Sequence, residues 1–241
     1  MKKLASLGIA IGLGLATQAG AAAFVNGGFE DGTFNGWSQN GGDVNTGPIF
    51  TPDGTNRNAI TNVGKDANTG NVLDTVFSGA HSARVEDEDN GARYSTLTQS
   101  VKNYTDAKIF FAWAAVLEEP SHDADEEPGF SIILTDDTTS TQLYNVTFNV
   151  ANPAPGVTLK DGVGIWKYTD WNIQDLDVSA LSGHDFTLTV LAFDCTLTGH
   201  GGYAYVDGFG AQIPDPDPVP EPGILALLGI GVLGLFRARR K

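Results

Sequence analysis

Between residues 24 and 213 no stretch of helical length shows an apolar repeat near 3.6 residues with caps at its ends. Short runs rich in Val, Phe, Tyr and Thr recur instead, each closed off by Gly, Asn, Asp or Pro. Residues of the first kind suit a pleated, half-buried surface, and those of the second supply turns. Strands are expected at 23–30, 72–77, 82–86, 94–101, 108–117, 129–135, 142–150, 166–173, 186–195 and 202–213. That many strands in one domain predict an all-β fold, a jelly-roll-like antiparallel β-sandwich. Phe186 to Leu191 alternates apolar and hydroxyl residues, so it has one buried face. Ile109 to Val116 is apolar throughout and is expected to be central and covered on both faces. The stretch 35–71 is rich in Gly, Asn and Thr and reads as an inserted loop with one or two poor strands.

The charge is unevenly placed. Six of the 14 basic residues lie at the ends: Lys2, Lys3, Arg237, Arg239, Arg240 and Lys241. The stretch 24–220 keeps 8 basic residues against 28 of the 29 acidic ones, a formal charge of −20. Such a surface favours solubility, repels nucleic acid and anionic lipid, and suits divalent cations. With one cysteine, Cys195, no intrachain disulfide can form. A body of this length buries enough core to do without one.

Each end has its own grammar. Lys2 and Lys3 precede an apolar run from Leu4 to Ala16, and Ala19-Gly20-Ala21-Ala22-Ala23 supplies the small residues a signal peptidase reads. Residues 1–23 therefore read as a cleaved signal helix, with a cut after Ala21 as the alternative. At the other end 214–219 is a stiff linker of alternating Pro and Asp. Pro220-Glu221-Pro222 follows, then the apolar run 224–236, then Arg237-Ala238-Arg239-Arg240-Lys241. The run is shorter than the roughly 20 residues of an ordinary spanning helix, so its ends need help from thinning or snorkelling. The basic end should stay on the cytoplasmic side, which leaves 24–213 outside. This order of parts over 220–241 resembles the PEP-CTERM sorting signal, carried by Pro220, Glu221 and Pro222. The resemblance implies recognition by an exosortase, removal of the tail, and delivery to the surface or surroundings of an exopolysaccharide-producing cell.

A second resemblance covers 24–213. Phe24-Val25-Asn26-Gly27-Gly28-Phe29-Glu30 with Gly36-Trp37 is similar to the first strand of jelly-roll carbohydrate-binding modules. Leu176 to Gly183 is similar to their penultimate segment, and Gly201 to Asp207 to their last strand. In such modules the first and last strands are neighbours, and a carboxylate pair there often holds a structural Ca²⁺. The resemblance thus points to Glu30 and Asp207 as ligands, with backbone carbonyls near Asn26 or Gly28; otherwise the two acids serve as loop cap and amide acceptor. Sugar stacking needs exposed aromatic faces. Trp166 and Tyr168 share one face of an alternating strand, so with Trp171 they are the candidates. Trp113 reads as core and Trp37 as packing beside the first strand.

Other chemistry finds little footing. The acidic runs 86–89 and 118–127 lack EF-hand spacing, and the second, between Pro120 and Pro128, reads as a mobile loop. His81, His122, His184 and His200 are scattered, with no HExxH. His200 lies five residues after Cys195, but two ligands are too few for zinc; a Cys–His catalytic pair or a plain buried thiol are the other readings. No nucleophile elbow, phosphate loop or dinucleotide fingerprint is present. The chain reads as a non-catalytic surface or biofilm-matrix protein. A carbohydrate-binding module for exopolysaccharide is the alternative, and a small hydrolase, needing two carboxylates across a cleft, the third.

Overall fold

The apolar run predicted to be central becomes the strand around which one sheet is built. The computed structural model describes residues 23–212. Among them β6 (Lys108–Glu118) has every residue from Ile109 to Leu117 at most 1% exposed. Ile109, Phe111, Trp113, Ala115 and Leu117 enter the core between the sheets, while Ala114 and Val116 join a second cluster on the opposite face. Both faces are covered, as an unbroken apolar strand requires.

Two antiparallel sheets make a sandwich. The first has the order β2 (Ile49–Pro52), β1 (Ser38–Asn45), β5 (Arg93–Tyr104), β12 (His184–Phe193), β7 (Gly129–Asp136), β8 (Thr141–Asn149). The second has β3 (Ala59–Asn62), β4 (His81–Val85), β13 (Gly202–Gly210), β6, β10 (Trp166–Tyr168) and β9 (Lys160–Asp161). β11 (Asn172–Asp177) lies beyond β10 along the same edge of β6. The shared core holds Leu97, Phe130, Ile132, Leu134, Phe186, Leu188 and Val190 from the first sheet against the β6 side chains and Val206 from the second. Trp113 sits there, 1% exposed, stacked on Phe130 with 4.9 Å between ring centroids. β12 shows the predicted alternation, with Phe186, Leu188, Val190 and Ala192 fully buried.

Several boundaries differ from expectation. Residues 23–30 form no strand: Asn26 and Phe29 both adopt the left-handed region, at φ 50° and 59°, which no strand allows. The stretch 72–77 is bent, with one bridge between Lys65 and Asp74. The expected strand 166–173 is divided into β10 and β11. The supposed loop 35–71 holds three strands, and β1 pairs along β5 from Ser38 to Asp43. Residues 1–22 of the signal segment 1–23, the linker 214–219, Pro220, Glu221, Pro222 and the apolar run 224–236 lie outside the described residues. Among the described residues no helix is long and apolar enough to cross a membrane.

Candidate functional site

Glu30 and Asp207 do come together, though by a route other than strand pairing. β13 is interior to its sheet, between β4 and β6, so Asp207 is not on an edge. Glu30 belongs to the looped segment that packs on the far end of β13, where the Phe209 amide donates to Gly27 O at 3.0 Å. The approach is close: a Cβ on Gly27 would lie 1.6 Å from Phe209 O, so only glycine fits. What unites the two acids is the backbone before β4. Asp207 Oδ2 accepts from the Phe77 and Ser78 amides, both at 3.0 Å. Glu30 accepts from Ala80 at 3.0 and 3.1 Å and from His81 at 3.1 Å. Three of the four carboxylate oxygens are thus engaged. Asp207 Oδ1 is buried with no hydrogen-bond partner. Burial, and to a smaller degree the neighbouring Glu30 charge, push Asp207 up to about 7.

The aromatic candidates take a different place from the one a sugar platform needs. Trp166 and Tyr168 do share a face, the outer face of the second sheet, together with Trp171, Leu73, Tyr203 and Tyr205. Residues around Asp66 and Leu73 close over that face. Asp66 Oδ2 accepts from the hydroxyls of Tyr203 and Tyr205 at 2.7 and 2.8 Å, and its Oδ1 accepts from the amides of Asn68 and Thr69. Burial and the Asp66 charge drive both phenols far above their ordinary range. Tyr168 is 4% exposed and offers no open ring face. Trp166 and Trp171 are half-buried, and the Trp171 indole donates to Asp74 O at 2.9 Å.

At the opposite end of β13 sits a second acid pair that the sequence did not single out, here with both members buried. Asp194, directly after β12, accepts from the Gly91 and Arg93 amides at 3.0 and 3.1 Å through Oδ2. Glu86, directly after β4, accepts from Ser95 Oγ at 2.6 Å. Arg57 Nη1 reaches Glu86 at 3.3 Å, Asp87 at 3.1 Å and Asp194 at 3.6 Å. Burial pushes Asp194 up to about 7, with the Glu86 charge adding to it, and burial also raises Glu86. Cys195 follows, fully buried and free, its thiol raised by burial.

The acidic loop after β6 is tied down at several points. Glu127 is 3% exposed and accepts from the Ala151 amide; Glu126 O accepts from the Thr196 amide, both at 2.9 Å. The loop carries His122 to Cys195, where Nδ1 lies 3.3 Å from Sγ. Sequence spacing paired Cys195 with His200 alone; the fold adds His122 to them. A shallow pocket of about 360 Å³ opens beside this loop, lined by Pro48, Asp125, Phe148, Asn149 and Phe193 among others. It holds one carboxylate, Asp125, and not the facing pair that glycoside hydrolysis uses.

Comparison with known proteins gives two kinds of result. No curated protein sequence matches the chain. Solved structures with a similar outline include the carbohydrate-binding module TmCBM61 in complex with beta-1,4-galactotriose, at 14% identity and TM-score 0.41, covering 78% of this chain and 96% of that one. The module CBM27-1 of Caldicellulosiruptor saccharolyticus in complex with mannohexaose has 13% identity and TM-score 0.39, over 80% and 97%. The K1 cleaved adhesin domain of Lys-gingipain from Porphyromonas gingivalis W83 has 12% identity and TM-score 0.35, over 75% and 92%. At the C-terminus the PEP-CTERM protein-sorting motif matches residues 218–241. The chain therefore carries a PEP-CTERM sorting motif behind an all-β sandwich, which marks it as an exported protein that is sorted at the membrane or cell surface through exosortase processing.

Proposed function

We propose that this chain is a non-catalytic protein of the cell surface or biofilm matrix, whose acidic sandwich is the mature body and whose tail is a delivery device. The sorting motif over 218–241 carries this reading. The body's last strand ends at Gly210, and in the sequence the Pro/Asp linker separates it from the motif. The apolar run 224–236 is the stop, and the basic end holds it at the cytoplasmic side. Signal peptidase acts at 1–23, exosortase at the motif, and the membrane is the anchor until the tail is removed. Mass analysis of the protein recovered from cells tests this. The product should lack both ends, and replacing Pro220-Glu221-Pro222 with alanines should leave full tail mass on a membrane-bound form. Normal maturation of the substituted chain would sink the proposal.

Within that body Glu30 and Asp207 are proposed to hold one structural Ca²⁺. The residues fit the ion in one respect that amides alone leave unmet: Asp207 Oδ1 is buried, charged above neutrality and unbonded. A hard dication takes carboxylate oxygens, and its charge would offset the burial of Asp207 beside Glu30. A carbohydrate-binding module for exopolysaccharide is the second reading, with Trp166 and Trp171 as the stacking residues and the sealed Tyr168 behind them. Tryptophan fluorescence should then change on adding purified exopolysaccharide, and a Trp166→Ala, Trp171→Ala chain should not respond. No change in the unsubstituted chain removes this reading and leaves the first intact.

A further inference from the structure

His122 and Cys195 stand 73 residues apart in the chain, yet Nδ1 of one lies 3.3 Å from Sγ of the other. His200 completes the group: one donor atom from each of the three lies within 4.8 Å of the other two. The imidazoles of His122 and His200 meet edge to face, 5.0 Å between centroids and 81° apart. We propose that His122, Cys195 and His200 form a zinc site, holding one Zn²⁺ through two imidazole nitrogens and a thiolate.

The donors are held in place before any ion arrives. Thr198 and Gly199 take left-handed conformations, at φ 66° and 95°, and fold the chain back so that the Cys195 amide donates to His200 O at 2.9 Å. The loop bearing His122 is fastened to the same turn on both sides. The Glu118 amide donates to Gly201 O at 3.1 Å, the Gly201 amide donates to the Glu118 carboxylate Oε2 at 2.9 Å, and the Thr196 amide donates to Glu126 O. Zinc with bonds of about 2.3 Å to sulfur and about 2.0–2.1 Å to nitrogen places tetrahedral S and N ligands roughly 3.5 Å apart. The pair from His122 and Cys195 already has that spacing.

A sulfur–imidazole hydrogen bond alone accounts for His122 and Cys195 but not for His200. Its Nδ1 is buried with no partner, a costly state that a metal bond to that nitrogen would remove. The surroundings favour a cation as well, since Glu126, Glu127 and Asp194 all act on Cys195. When the Zn–S bond forms, the thiol proton leaves to solvent and both imidazoles bind neutral. The group contains three protein donors, so the fourth position falls to water. The soft donors set this site apart from the all-oxygen pair at Glu30 and Asp207. Copper in a trigonal His₂Cys set commonly adds an axial methionine, whereas the one methionine here is Met1, at the start of the signal segment. Zinc at this position would link the loop after β6 to the turn before β13, a cross-link that a chain with one cysteine cannot make by disulfide.

The test uses the full chain without a histidine tag, purified in detergent under reducing conditions and stripped of metal. Titration with Zn²⁺ in excess Ca²⁺ should give one tightly bound ion per chain. Substitution with Co²⁺ should give a sulfur-to-cobalt charge-transfer band together with tetrahedral ligand-field absorption. Cys195→Ser, which keeps a group able to bond His122, should abolish the charge-transfer band. His122→Ala, in an outer loop whose loss leaves the core intact, should weaken zinc about tenfold or more. Circular dichroism checks that each variant is folded, and should Cys195→Ser unfold, His122→Ala decides alone. Absence of zinc binding, unchanged affinity in folded His122→Ala, or binding of copper with refusal of zinc would each overturn the assignment.

Discussion

The two ends of β13 carry one arrangement built in two ways. At each, an aspartate is fully buried, takes two backbone amides on Oδ2, leaves Oδ1 without a hydrogen bond, and has a glutamate as neighbour. Each aspartate is pushed up to about 7 by burial. They differ in what answers the charge. Asp194 and Glu86 have Arg57 between them, whereas no guanidinium or ammonium is paired with Glu30 or Asp207 among the described ion pairs. The glutamates differ too: Glu86 is fully buried, whereas Glu30 is open to solvent, so the two ends call for different help. One end carries its cation within the chain; at the other, no ion pair is described, and the proposed Ca²⁺ would fill that role.

The largest effect should come from removing the internal cation. Arg57→Ala leaves Glu86 and Asp194 facing each other without a counter-charge, and breaking a buried pair in this way costs about 3 kcal/mol. Urea unfolding should show the loss at pH 8 and less of it at pH 5, where Asp194, pushed up to about 7, is protonated. An equal loss at both pH values would mean that Arg57 acts by packing, and the contrast between the two ends would fail.

The end proposed to hold calcium comes next. Asp207 has a folded value near 7 against an ordinary value of 3.8. A raised carboxylate holds its proton longer in the folded state, so its contribution is fully favourable below about pH 4 and is lost as pH rises through 7. In EGTA the chain should therefore lose roughly 2 to 4 kcal/mol from this group between those limits, the upper figure following from 1.36 kcal/mol per unit. Added Ca²⁺ should restore it at pH 8, and Asp207→Asn should flatten that part of the profile and abolish the calcium response. A calcium-independent profile would leave the pair as amide acceptors only. Gly27→Ala tests the packing of this end: its Cβ meets Phe209 O, so about 2 kcal/mol should be lost with or without calcium.

What the sequence revealed follows from how locally each feature is determined. β6 and β12 were legible because apolar continuity and strict alternation are written within a single strand. β1 was not, for Ser38-Gln39-Asn40-Gly41-Gly42-Asp43-Val44-Asn45 carries neither pattern. Its strand exists because Gly41 and Gly42 admit the backbone of Thr55 and Thr51, where a Cβ would come within 2.1 Å of either carbonyl oxygen. Glu30 and Asp207 were named through a resemblance, but the expected cause, adjacent strands at an edge, was wrong; residues 77–81 bring them together. Trp166 and Tyr168 were placed on one face correctly, while the cover over that face comes from Asp66 and Leu73, about a hundred residues earlier. No short spacing in the sequence links His122 to Cys195. The acidic loop that carries it looked mobile, since its anchors, Glu126 O and Glu127, have partners far along the chain.

The smallest effect separates burial from charge as the source of the contrast. Lys108 Nζ lies 2.6 Å from Asp175 Oδ2, closer than any of the Arg57 contacts, but both side chains are open to water, 53% and 32% exposed. The Asp175 bond raises the Lys108 ammonium, a shift that solvent and salt screen. Lys108→Ala should leave the urea midpoint unchanged within error at physiological ionic strength, while Arg57→Ala shifts it clearly. If Lys108→Ala proved as damaging as Arg57→Ala, distance alone would govern these pairs. The two ends of β13 could then not be distinguished by which of them has its charge answered inside the fold.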